Sequence, residues 1–382
     1  MKRIGIVGGG QLARMLALAG RPLGLEFSAI DPAPDACAGA VARLIVAEYG
    51  DASALARLAV ECDVVTYEFE NLSAKALDGL SAAVPVRPGT RSLLTSQDRL
   101  VEKSLFGSIG LPTAPHRPVD NPADLEKALR TLGCPAILKT RRLGYDGKGQ
   151  ALIRAPEDAR MAWASVAGDR STSDLILEGF VRFRSEVSQI SCRGADGSLV
   201  HYPLTENAHA GGILRRSIPL SPTVAAPWAG QARAAMERLM LELGHVGILC
   251  MEFFVTADGL VANEMAPRVH NSGHWSLDGG GVSQFENHVR AIAGLPLGNP
   301  EPSRPVLMVN LIGSMPDPIK VLSLPFVRLH DYAKEPRSGR KVGHLNILPP
   351  PGADPRACLA AVAPLVSEET RAAMLGPIPG EA

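Results

Sequence analysis

Over roughly the first 90 residues, short apolar runs alternate with stretches in which apolar residues recur every three to four positions. Ile4 to Val7, Leu25 to Ile30 and Val64 to Tyr67 read as strands. Gln11 to Ala19 and Asp51 to Val60 carry the helical period, the second with Asp51 at its N-cap. This strand–helix alternation predicts a parallel βαβ layout. Thr90 to Ser108 reads as a single helix, and Leu111-Pro112-Thr113-Ala114-Pro115 as a domain junction.

From about residue 116 the pattern changes. Ala123 to Leu132 and Pro156 to Val166 read as helices. The run from Pro135 to Leu138 reads as a strand ending in Lys139, and Leu175 to Leu177 as another. Glu186 to Cys192 and Leu199 to Pro203 read as further strands, and Ala225 to Leu243 as a long helix. Gly247 to Val255 and Leu260 to Met265 predict a strand pair turned at Asp258-Gly259. Gln284 to Ile292 reads as a helix. A proline-rich break, Pro296 to Pro305, precedes a strand over Val306 to Ile312. The tail from Pro349 onward is rich in proline and alanine and carries little chemical signal.

Length and charge narrow the classes. A chain of 382 residues predicts two or three domains. Lysine plus arginine equals aspartate plus glutamate, 39 each, which argues against a broad nucleic-acid surface or a polybasic membrane patch. No apolar run is long enough to span a bilayer, and the apolar start breaks into glycines too early for a signal peptide. The six cysteines form no Cys-x-x-Cys pair, so buried thiols are expected rather than zinc. A cytoplasmic location is expected.

Two glycine-rich turns carry candidate chemistry. Gly8-Gly9-Gly10-Gln11-Leu12-Ala13 follows a strand and opens a helix, and Asp31 lies about twenty residues on. That spacing fits a dinucleotide site, but the same turn serves any ligand phosphate at a helix N-terminus. The second turn spans Gly144-Tyr145-Asp146-Gly147-Lys148-Gly149-Gln150, directly after the lysine-ended strand. Glycines admit backbone N–H groups close to phosphate oxygens, and lysine adds a mobile point charge. No Walker motif is present.

Farther on, Glu178-Gly179-Phe180-Val181 ends an apolar strand in a short linker. Such a linker could read an adenine edge through its backbone, while Glu186 could accept from ribose hydroxyls. Glu252 and Glu264 each interrupt an apolar strand of the pair turned at Asp258-Gly259. Side by side, these carboxylates would repel, and a cation between them is the simple remedy. Magnesium prefers carboxylate oxygens and nucleotide phosphates. The polar run Arg268-Val269-His270-Asn271-Ser272-Gly273-His274 follows.

Taken in order, these motifs resemble the ATP-grasp superfamily. Within it they are most similar to the purine-biosynthesis ligases that carboxylate the exocyclic amine of 5-aminoimidazole ribonucleotide (AIR). The similarity also rests on Gln97-Asp98-Arg99, Glu206-Asn207-Ala208-His209, Gly212-Ile213-Leu214-Arg215, Asn263-Glu264-Met265-Ala266-Pro267-Arg268 and Gly339-Arg340-Lys341-Val342-Gly343-His344. It covers the chain to about residue 350.

The resemblance implies an α/β fold. A Rossmann-like parallel-sheet domain would span 1–97, and a two-lobed ATP-grasp domain 98–300 with a lid at about 115–182. A small C-terminal domain would span 301–382. It implies ATP contacts at Arg99, Lys139, Gly144, Tyr145, Asp146, Gly147, Lys148, Gly149, Gln150, Glu178, Gly179, Phe180, Val181, Glu186, His209, Asn263 and Glu264. It implies magnesium, with manganese as a substitute, at Glu252 and Glu264. Many ATP-grasp enzymes carry Glu-x-Asn here; in this chain that Asn position is Ala266, which leaves Asn263 adjoining the metal.

In such enzymes ATP phosphorylates bicarbonate to carboxyphosphate, which releases CO2 in a closed pocket, and the AIR amine captures that CO2 as a carbamate. Tyr145 and Asp146 in the loop, with Glu70 and Arg268, would attend the reacting groups. Gln11, Leu12, Glu70, Lys334, Arg340 and Lys341 would hold AIR. A homodimer is expected by resemblance. Another ATP-grasp ligase acting on a different small acid, and an NAD-dependent oxidoreductase using the first glycine turn, are the competing readings.

Overall fold

The computed structural model describes residues 2–144, 149–168, 171–372 and 374–375. Tyr145, Asp146, Gly147 and Lys148 lie outside the described residues.

Among the described residues the strands form three sheets. The first is parallel and contains β1 (Arg3–Val7), β2 (Glu26–Asp31), β3 (Arg43–Val46) and β4 (Val64–Tyr67), in the order β3-β2-β1-β4. Central β1 and edge strand β4 are both buried along almost their whole length, which is why they are nearly continuous apolar runs. The short edge strand β3, whose Leu44-Ile45-Val46 run is only partly buried, went unread in the sequence.

The second sheet holds β5 (His116–Val119), β6 (Ala136–Thr140), β7 (Gln150–Ile153) and β8 (Leu175–Gly179), in the order β5-β8-β6-β7. Helices Pro122–Leu132 and Ala159–Ala167 cover it: Leu125, Leu129, Trp163 and Val166 pack on Ala136, Leu138, Leu175 and Leu177.

The third sheet is the largest. It comprises β9 (Ser185–Arg193), β10 (Leu199–His201), β11 (Thr205–Ala210), β12 (Ile213–Pro219), β13 (Gly247–Thr256), β14 (Gly259–Ala266), β15 (Leu307–Gly313), β16 (Val327–Asp331) and β17 (Arg337–Ile347). Its order is β14-β13-β9-β11-β12-β15-β17-β16, with β10 against β9. The 301–382 segment therefore adds its strands to this sheet, through Arg216 opposite Val309 and Ser217 opposite Met308. β11 and β12 were not anticipated as strands because polar residues crowd them and blur the alternation.

One apolar core ties the parallel sheet to the large one. Leu12, Met15 and Leu16 of helix Gln11–Gly20 pack with Phe285, Val289 and Ile292 of helix Gln284–Ala293, and Tyr332 and Leu348 join them. The C-terminal ends of β1 and β4 thereby face the third sheet.

One sequence expectation changes. The single helix over Thr90 to Ser108 is two, Thr90–Ser96 and Arg99–Ser108. Asp98 breaks it: its carboxylate caps the second helix at Leu100 N (3.0 Å) and pairs with Arg141 (2.7 Å) and Arg142 (3.1 Å). The proline- and alanine-rich tail packs on the third sheet. Cys358, Leu359 and Val362 of helix Pro355–Val362 pack under β15, and the Ile312 N–H donates to Thr370 Oγ1 at 2.9 Å. No helix among the described residues is long and apolar enough to cross a membrane.

Candidate active site

The site is best built outward from β13 and β14. These strands pair so that Glu252 lies directly opposite Glu264, and a bulge follows between Glu252 and Phe253. The extra residue is Asn263, so strict alternation is lost and both Asn263 and Glu264 are half-buried. Glu264 lies deep between the sheets yet keeps 42% of its side chain open to the cleft, paired with Arg99 Nη1 at 2.9 Å. Burial would raise its carboxyl, but Arg99, then Lys139 and Lys103, hold it below the ordinary range. Glu252 has no such cation. Burial and the facing Glu264 push it up to about 7, against the pull of His209 and Lys341. Two opposed carboxylates, one of them poorly tolerated as an anion, fit a divalent cation better than they fit each other.

Glu252 also belongs to a second group. One ligand atom each from Glu186, His209 and Glu252 lies within 4.8 Å of the others. His209 Nδ1 sits 3.0 Å from Glu186 Oε2, though not aligned for a hydrogen bond. Burial would lower the His209 imidazole, but Glu186 and Glu252 outweigh it and raise it.

The cationic end sits on β6 and β8. Lys139 Nζ lies 2.9 Å from Glu178 Oε2, and Lys103 Nζ lies 3.3 Å from Glu178 Oε1. Burial would raise Glu178, yet Lys139, Lys103 and Arg99 hold it at about 2. Burial lowers Lys139, which must share that one carboxylate with two other cations, so Glu178 is the securely ionised partner. β6 and β7 pair on either side of the glycine-rich segment: Gly149 has φ +69° and accepts from Thr140 N, and Gln150 pairs with Lys139. Gly144 begins the loop, half-buried.

In the linker after β8, the Gly179 N–H donates to Pro115 O at 2.8 Å and the Phe180 N–H to Pro135 O at 3.1 Å. The Val181 N–H has no backbone partner among the described residues. Phe180 is exposed.

The opposite end holds the remaining predicted residues. Arg268 Nη2 lies 2.7 Å from Glu70 Oε1 and 3.0 Å from Glu70 Oε2, a forked pair that joins the end of β4 to the chain after β14. Lys334 Nζ donates to Gln11 Oε1. Burial lowers Lys334, Cys37 and Glu68 oppose that, and Arg340 and Lys341 add to it. Lys341 faces both ways, because its charge also acts on Glu252 and His270. Arg340 donates to Glu335 O at 3.1 Å. Leu12 is the exception. Its side chain is buried in the core, so only its main-chain N–H, one of the first four of the helix, could meet a ligand.

The dinucleotide reading of the first glycine turn fails for a concrete reason. Glu68 fills the place of a phosphate, accepting from Gly10 N and from Ala13 N (2.9 Å) at the helix start. Asp31 is occupied as well, by Gly9 N (2.8 Å) and Tyr49 Oη (3.1 Å). A pyrophosphate would meet a carboxylate there.

Three model matches account for most of the chain. Residues 1–97 match the ribonucleotide synthetase preATP-grasp domain, 104–285 the ATP-grasp domain, and 306–354 the phosphoribosylaminoimidazole carboxylase C-terminal domain. The N5-carboxyaminoimidazole ribonucleotide synthase of Pseudomonas aeruginosa is 47% identical over 345 residues, covering 90% of this chain and 94% of that protein. The chain belongs to the N5-carboxyaminoimidazole ribonucleotide synthase family. The crystal structure of the synthetase from Thermus thermophilus is 48% identical, with a TM-score of 0.89 over 96% of this chain and 99% of that one. The Aspergillus clavatus synthase, solved with ADP and AIR, is 27% identical with a TM-score of 0.83 over 95% of this chain and 97% of that one.

Several side chains of this family member escaped the sequence reading. Glu68, Lys103 and Glu102 are buried charges, 8%, 1% and 2% exposed. Glu102 accepts from Met265 N at 2.7 Å, and Lys103 donates to Asn263 O at 3.3 Å, so both brace β14 beside Glu264. Their signal was available: Glu102 and Lys103 fall on the buried face of an amphipathic helix, where unpaired charge is costly.

Proposed function

We propose that this chain uses ATP and bicarbonate to carboxylate the exocyclic amine of AIR, releasing ADP and phosphate. The observation that carries the reading is the opposed pair Glu252 and Glu264. Glu264 faces the lysine-rich end of the cleft, and Glu252 faces His209, Lys341 and His270. One lane of charge thus runs from Lys139 to the Arg268–Glu70 pair and on to Gln11 and Lys334.

The nucleotide occupies the first end. Val181 N–H reads the adenine edge, Glu186 the ribose, and Lys139, Arg99 and the glycine loop receive the phosphates. Magnesium, held by Glu252 and Glu264, would neutralise charge on the transferring phosphoryl group. Bicarbonate attacks that group near Arg268 and Lys341, giving carboxyphosphate. Carboxyphosphate then breaks down to CO2 and phosphate, the AIR amine adds to the CO2 to form the carbamate, and the amine proton passes to a base. Asp146, in the loop, is the proposed acceptor, with Tyr145 beside it. Gln11, Lys334 and Arg340 hold the AIR phosphate. Water must be kept out, because carboxyphosphate hydrolyses, and a loop closing from the β6–β7 hairpin suits that need.

The domain limits 1–97, 98–300 and 301–382, a homodimer and a cytoplasmic setting are proposed alongside. The test is ADP release with ATP, magnesium and bicarbonate, with and without AIR. Release that requires AIR and yields an acid-labile carbamate is expected. Turnover only with another acid or amine would replace the substrate assignment.

A further inference from the structure

A line of buried polar side chains crosses the third sheet and ends on His270. Ser217 of β12 donates its hydroxyl to Asn207 Oδ1 of β11 at 2.8 Å. The Asn207 amide donates to Ser188 Oγ of β9 at 3.0 Å, and Ser188 donates to Ser272 Oγ at 2.8 Å. Ser272 Oγ lies 2.9 Å from His270 Nδ1. Ser188, Ser217 and Ser272 are 0% exposed and Asn207 is 6%. Packing alone gives no reason to bury four polar side chains among apolar strands, since each must be desolvated and satisfied.

The line has a direction. The main-chain N–H of Ser272 donates to His270 Nδ1 at 3.3 Å. A main-chain N–H cannot reverse, so Nδ1 carries a lone pair and the ring's single proton is on Nε2. Ser272 must then give its own hydroxyl proton to Nδ1 and accept from Ser188. Ser188 must accept from the Asn207 NH2 group, and the Asn207 carbonyl must accept from Ser217. Each link agrees with the next. The proton that results, on Nε2, faces Glu252 Oε1, 3.6 Å away, at the mouth of the cleft.

We propose that Ser217, Asn207, Ser188 and Ser272 are positioning residues that lock His270 as a neutral Nε2–H donor toward the anionic groups at the metal end of the cleft. His270 then serves as a fixed hydrogen-bond donor and not as the base for the amine proton. The inference deepens the proposed function and rests on it for the kinetic arm of its test.

The first measurement needs no variant. With the nine histidines 15N-labelled and the His270 signals assigned by their loss in His270→Gln, the two ring nitrogens of His270 report which one carries hydrogen. A neutral Nε2–H ring at pH 7.5 is expected. An Nδ1–H ring or an imidazolium overturns the proposal, whether or not the enzyme carboxylates AIR. The second measurement uses Ser188→Ala and Ser217→Ala, neither of which contacts His270. Each should lower kcat about tenfold, leave KM for ATP and AIR within about twofold, and shift the His270 Nδ1 signal as the Ser272 hydroxyl loses its fixed direction, with the Nε2–H form still held by the Ser272 main-chain N–H. Unchanged kcat, or lowered kcat with an unshifted His270 Nδ1 signal, would mean that the line only packs the sheet and would overturn the proposal. Failure of wild-type AIR carboxylation alongside an Nε2–H ring would strike the proposed function and leave the tautomer assignment standing.

Discussion

Glu178→Gln tests the nucleotide end most directly. The side chain is 3% exposed and is shared by Lys139 at 2.9 Å and Lys103 at 3.3 Å. Holding its carboxyl at about 2 instead of the ordinary 4.5 corresponds to about 3 kcal/mol in favour of the charged form. The amide keeps the shape but removes the charge, which leaves two buried ammonium groups facing one another. Breaking a buried pair costs about 3–5 kcal/mol, so the two routes to the magnitude agree. The loss should be local. Hydrogen exchange at β6 and β8 amides should report an opening free energy lower by about 3 kcal/mol, with β1 and β4 unaffected. ATP with magnesium should then protect the variant more than the wild type, because phosphates would supply the missing negative charge beside Lys139. Adding Lys103→Met should recover part of the loss, since the lysine pair is then gone. Equal protection of wild type and variant by nucleotide would refute the placing of phosphates against Lys139, and unchanged exchange at β8 would refute the magnitude.

The other predictions are simpler. Glu264→Gln should cut kcat about 10²–10³-fold by weakening the cation clamp on the phosphoryl group; near-normal turnover with an unchanged magnesium titration would remove Glu264 from the metal site. Lys334→Ala should raise KM for AIR at least about tenfold and leave KM for ATP alone, and an equal rise in both would point to misfolding instead. His245 is fully buried, and burial, opposed by the Ile248 carbonyl, lowers its imidazole to about 4. Because the folded value lies below the ordinary 6.5, its contribution to stability is complete above about pH 6.5 and is lost as pH falls toward 4. The urea midpoint should therefore drop between pH 7 and pH 5, with a shallower drop in His245→Gln; identical slopes would disprove the assignment.

The local patterns of the chain determined a good deal. Apolar runs marked β1 and β4, and the turn at Asp258-Gly259 paired the two strands that carry Glu252 and Glu264 in a register that holds as far as Phe253 opposite Ala262, beyond which the bulge sets Glu252 opposite Glu264. The motif order pointed to the family and placed Lys139, Glu178, Glu186 and His209 in one cleft. These are features that a strand period, a turn or a spacing can encode.

Other features depended on residues far apart in the chain. The glycine turn at Gly8 has the spacing of a dinucleotide site, and only the tertiary structure brings Glu68, from the end of β4, onto its N–H groups. Nothing near Thr90 to Ser108 says that Asp98 is claimed by Arg141 and Arg142 from the lid. β11 and β12 hide their strand character because their polar residues serve the cleft and the buried line to His270, which overrides alternation. The bulge at Asn263 and the direction of the line ending at His270 arise from which donor meets which acceptor across strands. Sequence spacing carries the first kind of information through local geometry. The second kind exists only once distant polar groups must satisfy one another away from water.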